Sequence, residues 1–255
     1  MTPVEGIIVL YILMLTGLIG CMIFSKVPVA LHTPLTSGSN LIKAIALVGA
    51  LGAGAAAAIG ALELIKIANA HAHIDFVNRI VEADHQVPLN AMILMVLGGL
   101  FGSVAFSGSL IAFAKLQGWM AGVIRFGGQR ALNVLAFLAT FILGGLMLYQ
   151  TEMIPGTTTI IAGNFPIEFL LGFFILSLVF GVMLTVPIES TDMPVVISLF
   201  NALTGLAVGF GGFVLGNIAM LIAGVVVCSA GLVVTLLIAK AMSRSLGNIL
   251  LRSNR

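Results

Sequence analysis

The sequence predicts an all-α fold: a polytopic membrane bundle of about seven transmembrane helices, N-terminus outside and C-terminus cytoplasmic. Three observations predict it. Hydrophobic residues fill 60% of the 255 positions and charged residues 8%, at a mean hydropathy of +1.21, which is too apolar for a water-soluble globule of this length. Apolar runs of membrane length recur along the whole chain. The 30 glycines suit helices that have no hydrophobic drive to associate in lipid and need small residues to approach one another.

A hydrocarbon core of about 30 Å takes roughly 20 apolar residues per helix. By that measure the spans lie near 6–24, 40–70, 90–116, 131–149, 166–187, 193–215 and 218–242. The first follows the acidic stretch MTPVE and has no small-x-small cleavage pattern after it, so it reads as a retained span. The second is long enough to tilt or protrude. Pro34 and the polar stretch TSGSN at its mouth predict a broken opening before the apolar run resumes. In the third, Gly98, Gly102, Ala105, Ser109 and Ala112 form a small-residue stripe whose polar member is Ser109. In the sixth, Asn201, Gly205, Gly209, Gly212 and Gly216 recur every three or four residues, a close-packing face with one amide on it. Only Gly216 and Asn217 separate the last two spans, which must form a tight antiparallel hairpin.

Basic residues set the orientation. Lys26, Lys115, Arg125, Arg130, Lys240, Arg244, Arg252 and Arg255 fall on one side, Lys66 and Arg79 on the other, and the richer side is cytoplasmic. No junction is long enough for a soluble domain, so residues 1–255 read as one membrane domain without a nucleotide-binding domain. The net charge of +2 and the lack of a charge block give no nucleic-acid partner. There is no Gly-rich phosphate loop, C-x-x-C or H-E-x-x-H. Cys21 and Cys228 lie in apolar runs and read as packing residues. His71, His73 and His85, with Asp75, Glu82 and Asp84, cluster in one junction, but no helical spacing fixes them together and no metal site is assigned.

Two helix entrances look alike. Aligned at proline, KVPVALHTPL and TDMPVVISLF match as x-Pro-Val followed by small and apolar residues, which sets His32 opposite Ser198. Two ordinary helix starts would also account for the prolines. The polar stretch after Pro34 places His32 at a broken helix end inside the bundle, where its imidazole can change charge near neutral pH. No carboxylate stands mid-span. Glu63, Lys66, Glu168 and Glu189 lie near helix ends, and Lys43 can snorkel. The central candidates are therefore His, Asn and Ser, which suit a proton path through water better than a cation site. Ser109 and Asn201 could equally be interhelical hydrogen-bonding groups.

Several stretches resemble the membrane domain of the proton-translocating NAD(P) transhydrogenases. SKVPVALHTPLTSGSNLIKAIALVGAL is similar to a membrane helix region of the alpha subunit with a typical L-H-T-P-L, so residues 1–70 look alpha-like. FSGSLIAFAKLQG resembles a beta-subunit helix carrying T-G-S-x-x-A-F-x-K-L, and DMPVVISLFNALTG through AGVVVCSAGLVVTLLIAKAMSRS resembles the beta subunit's last two helices, so residues 90–245 look beta-like. The family's histidine-bearing M-P helix has no clear counterpart, and Gly49 stands where a polar residue would be expected.

The resemblance implies a membrane component that couples proton flux to hydride transfer between NAD(H) and NADP(H), both bound on partner chains and not on this one. By motif position His32 would accept and release the proton, and Ser109 and Asn201 would hold a file of water. Asp192, of the A-D-M-P type, would sit with Glu189 at the cytoplasmic surface where the NADP(H) domain docks. The resemblance further implies a homodimeric complex in a bacterial inner membrane. The alternative reading is a secondary transporter or proton channel without nucleotide chemistry, since half-helices entering at prolines also build substrate sites; a structural membrane subunit is a third.

Overall fold

The structure, a computed structural model, describes residues 35–77, 87–120, 123, 127–153, 159–163, 166–243, 247 and 249. The helices are α1 (Leu35–Val77), α2 (Leu89–Leu116), α3 (Gln129–Tyr149), α4 (Ile167–Thr185), α5 (Met193–Val214) and α6 (Ile218–Ala241). A one-turn 3₁₀ helix, Ser190–Asp192, leads into α5. Among the described residues six helices are long and apolar enough to cross a membrane, α1 through its Ile42–Ile65 stretch. They coincide with the second to seventh predicted spans; the first, residues 6–24, lies outside the described residues.

At the mouth of α1 the structure differs from the sequence reading. The helix is described from Leu35 and is continuous through TSGSN and on to Val77, 43 residues in all. Pro34 itself lies outside the described residues, and the turns that follow it are unbroken.

The middle of the bundle is α2 and α5, whose membrane stretches are 61% buried, against 11% for α6 and 22% for α3 and α4. Around them α1 lies on both, α6 on α5, α4 on α2 and α3 on α4. The outward faces carry exposed aliphatic side chains such as Leu135, Ile142, Ile175 and Leu236, which only a lipid surrounding accommodates in this number. Phe173, Phe200, Met92 and Met193 fill the interior.

Small residues set the helix spacing. A Cβ added at Gly102 of α2 would stand 2.8 Å from the Ala57 nitrogen of α1. The predicted stripe of α5 does pack closely: Gly205, Gly209 and Gly212 lie on the backbone of α6 around Gly224, and Gly231 faces Ala202. The α5–α6 hairpin also follows expectation. Gly216 takes φ +63, and the Asn217 side chain caps α6 by accepting from the Met220 N–H at 3.1 Å.

One element was not anticipated. Val87–Pro88 (β1), Thr151–Met153 (β2) and Thr159–Gly163 (β3) form a small antiparallel sheet in the order β1-β3-β2, beside the starts of α2 and α4 and the end of α3. Strands this short carry too little periodicity to be read from sequence.

Candidate functional site

The candidate residues divide among three places. His32 lies outside the described residues. Ser109 and Asn201 lie within the bundle, on the two central helices. Asp192 lies at the end of the bundle where α2 and α4 finish and α5 begins.

Helix register brings Ser109 and Asn201 to one depth. α1 and α2 run antiparallel, with Gly60 against Met95 and Gly99, Gly54 against Phe106, and Gly102 against Ala53 and Ala57. Extending that register sets Ser109 beside the Gly49–Ala50 turn of α1. α1 and α5 run parallel, with Gly49 against Asn201, Gly52 against Thr204 and Ile59 against Gly211. The Asn201 carboxamide rests directly on Gly49, and its oxygen occupies the space a Cβ there would take. Gly49 thus admits the amide of another helix. Ser109 is 1% exposed, between Ala105 and Ala112, both fully buried, on the stripe that faces α1 and α5.

Asn201 sits at the edge of the glycine face and not within it. The glycines face α6, while Asn201 turns toward α1. Ser198, the residue set opposite His32 by the repeat, instead faces α6 and donates to the Gly231 carbonyl at 3.2 Å. Six other buried hydroxyls close locally: Ser107, Thr140, Ser177, Thr185, Thr204 and Thr235 each donate to a carbonyl one turn earlier on their own helix. Those groups are satisfied within their own helices.

Asp192 corrects the expectation of a surface carboxylate. It is 3% exposed, because the 3₁₀ turn tucks it beneath the start of α5 and against α2, with its N–H donating to the Glu189 carbonyl at 3.0 Å. Glu189 is half-buried.

Lys115 is the functional-looking residue that sequence reasoning treated only as a basic surface charge. It is 4% exposed, and its ammonium donates to the carbonyls of Thr185 at 3.2 Å, Ile188 at 2.7 Å and Val186. These are the orphan acceptors at the C-terminus of α4 and in the connector to α5, where a cation also complements the helix dipole. Lys115 thus ties the end of the helix bearing Ser109 to the connector bearing Asp192. Its sequence signal is a lysine as the penultimate residue of an apolar run, within the stretch AFAKL.

The chain matches the family model described as NAD(P) transhydrogenase beta subunit over residues 2–254. It is 32% identical over 161 residues to the NAD(P) transhydrogenase subunit beta of Rhodospirillum rubrum, a stretch covering 63% of this chain and 32% of that protein. The protein of the same name from a defined strain of that organism matches to the same extent. The match thus spans about a third of the length of these relatives. With six apolar helices long enough to span a bilayer among the described residues and a family match across nearly its whole length, this integral membrane chain belongs to the NAD(P) transhydrogenase beta subunit family.

Proposed function

We propose that the chain is the proton-translocating membrane component of an NAD(P) transhydrogenase, coupling proton movement to hydride transfer between NAD(H) and NADP(H) held on partner chains. The observation that carries this is the meeting of Asn201 with Gly49 at the depth of buried Ser109, within helices α2 and α5 that have no charge between Leu89 and Ala114 or between Met193 and Val214. Neutral polar groups can organise water there without the roughly 2.5–3.5 kcal/mol that a charge at mid-membrane costs. The Asn201 amide can both donate to and accept from a water, and the Ser109 hydroxyl can relay one. His32, on the segment preceding α1, is the group that takes up and releases the proton in this reading.

Asp192 and Glu189 respond to the docked NADP(H) domain through the connector that Lys115 holds, since Asp192 is itself buried. The end of the bundle containing Lys115 and Asp192 faces the cytoplasm, the C-terminus is inside, and the complex is a homodimer in the lipid bilayer of a bacterial inner membrane. The alpha-like character of residues 1–70 rests on the L-H-T-P-L motif, and the beta-subunit family match runs across the same residues. A proton crossing 100 mV carries about 2.3 kcal/mol, enough to displace a balanced redox equilibrium several tens of fold.

The test is His32→Ala and Asn201→Leu in the complex recovered by tagging this chain. Loss of proton-coupled transhydrogenation with assembly intact supports the reading. Unchanged coupling, or a tagged chain that recovers no NAD- or NADP-binding partner, removes it.

A further inference from the structure

Glu63 ends the face of α1 that begins at Gly49. Gly49, Gly52, Ala56, Ile59 and Glu63 recur at i, i+3, i+7, i+10 and i+14, and the same face meets Asn201, Thr204 and Gly211 of α5. The span from Gly49 to Glu63 is about 21 Å at 1.5 Å per residue, most of the hydrocarbon thickness. At the Glu63 end the three helices leave a cavity of about 10 Å³, lined by Gly60 and Glu63 of α1, Met95 and Gly98 of α2, and Ala207 and Gly211 of α5. That is about the room one water needs. Glu63 is half-buried and is the ionisable residue among those lining the cavity.

The surroundings make the carboxylate conspicuous. α5 has no charged residue, and α2 has none before Lys115 at its far end. α4 brings only Glu168, exposed in its first turn, and β3 brings none. On α1 itself Lys66 follows one turn later. A carboxylate at the end of a charge-free seam, beside a water-sized void and 14 residues along one helix face from the amide, is placed to exchange protons between bulk water and the seam.

We propose that Glu63 is the proton-exchanging group at the mouth of the seam opposite the Lys115 end. A proton from the bulk forms an O–H bond to the Glu63 carboxylate, and that bond breaks as the proton passes to the cavity water on the side of Thr204 and Asn201; the reverse sequence serves flux the other way. The carboxylate is regenerated and nothing is oxidised or reduced. This inference rests on the proton-translocating reading above.

The test uses the tagged full-length chain, with whatever chains co-purify with it, in liposomes loaded with a pH-sensitive dye and energised by a potassium diffusion potential. Glu63→Gln is expected to slow proton flux about tenfold or more, and Glu63→Asp to retain most of it. In Glu63→Ala, adding formate or azide to the outer solution is expected to restore flux, because a small weak acid can replace a missing proton carrier and cannot replace a missing structural contact. Wild-type flux with an equal rate in Glu63→Gln overturns the proposal. So does slowed flux that neither weak acid restores, which marks Glu63 as structural. A wild-type chain that conducts no protons overturns the proton-translocating reading itself, and this inference with it.

Discussion

The side-chain oxygen of Asn201 occupies the position of the Cβ that Gly49 lacks, so one glycine on α1 decides whether the amide of α5 can enter the seam. Gly49→Ala forces the two apart. Overpacking of this kind costs about 1–3 kcal/mol, and in the assembled complex gradient-driven transhydrogenation is expected to fall about tenfold. Because both substitutions act through one contact, Asn201→Ala in the Gly49→Ala background should add little, and assays of the two single variants and the double variant measure that coupling.

Ser109 offers a second probe of the same depth. Ser109→Ala removes the hydroxyl and keeps the small side chain that the stripe of Gly98, Gly102, Ala105 and Ala112 requires. Thermal unfolding in detergent should be unchanged while proton flux in liposomes drops severalfold. Ser109→Leu should lower both, since the site is 1% exposed and has no space for a larger side chain.

Lys115→Met should destabilise the bundle. Its ammonium donates to the carbonyls of Thr185, Val186 and Ile188, and leaving buried acceptors unsatisfied costs about 1–3 kcal/mol. A lower unfolding temperature and faster proteolysis of the connector between α4 and α5 would show it. Lys115→Arg, whose planar guanidinium cannot reproduce the same three-carbonyl arrangement, should recover only part of the loss.

Two glycines should respond in opposite ways. A Cβ at Gly224 would enter the backbone of Gly209, so Gly224→Val should separate α5 from α6 and abolish recovery of monodisperse protein. Gly145 of α3 has nothing within 4 Å and faces outward. Gly145→Ala should be neutral or stabilise by up to about 1 kcal/mol, as alanine is the better helix former. Size-exclusion profiles and unfolding temperatures of the two variants separate these outcomes.

The chain's own order of residues settled the membrane class, the second to seventh spans, the Gly216–Asn217 turn and the stripes on α2 and α5. Each of these depends on something local: the apolar length a bilayer demands, the conformational freedom of one glycine, or the spacing of small residues along one helix. Folding in three dimensions decided the rest. Which residue meets Gly49, how Lys115 reaches carbonyls 70 to 73 residues away, why Asp192 is buried and where a cavity opens beside Glu63 all depend on register between helices distant in sequence. A stripe of small residues states that a neighbour will come close. Only packing states which neighbour, and at what depth.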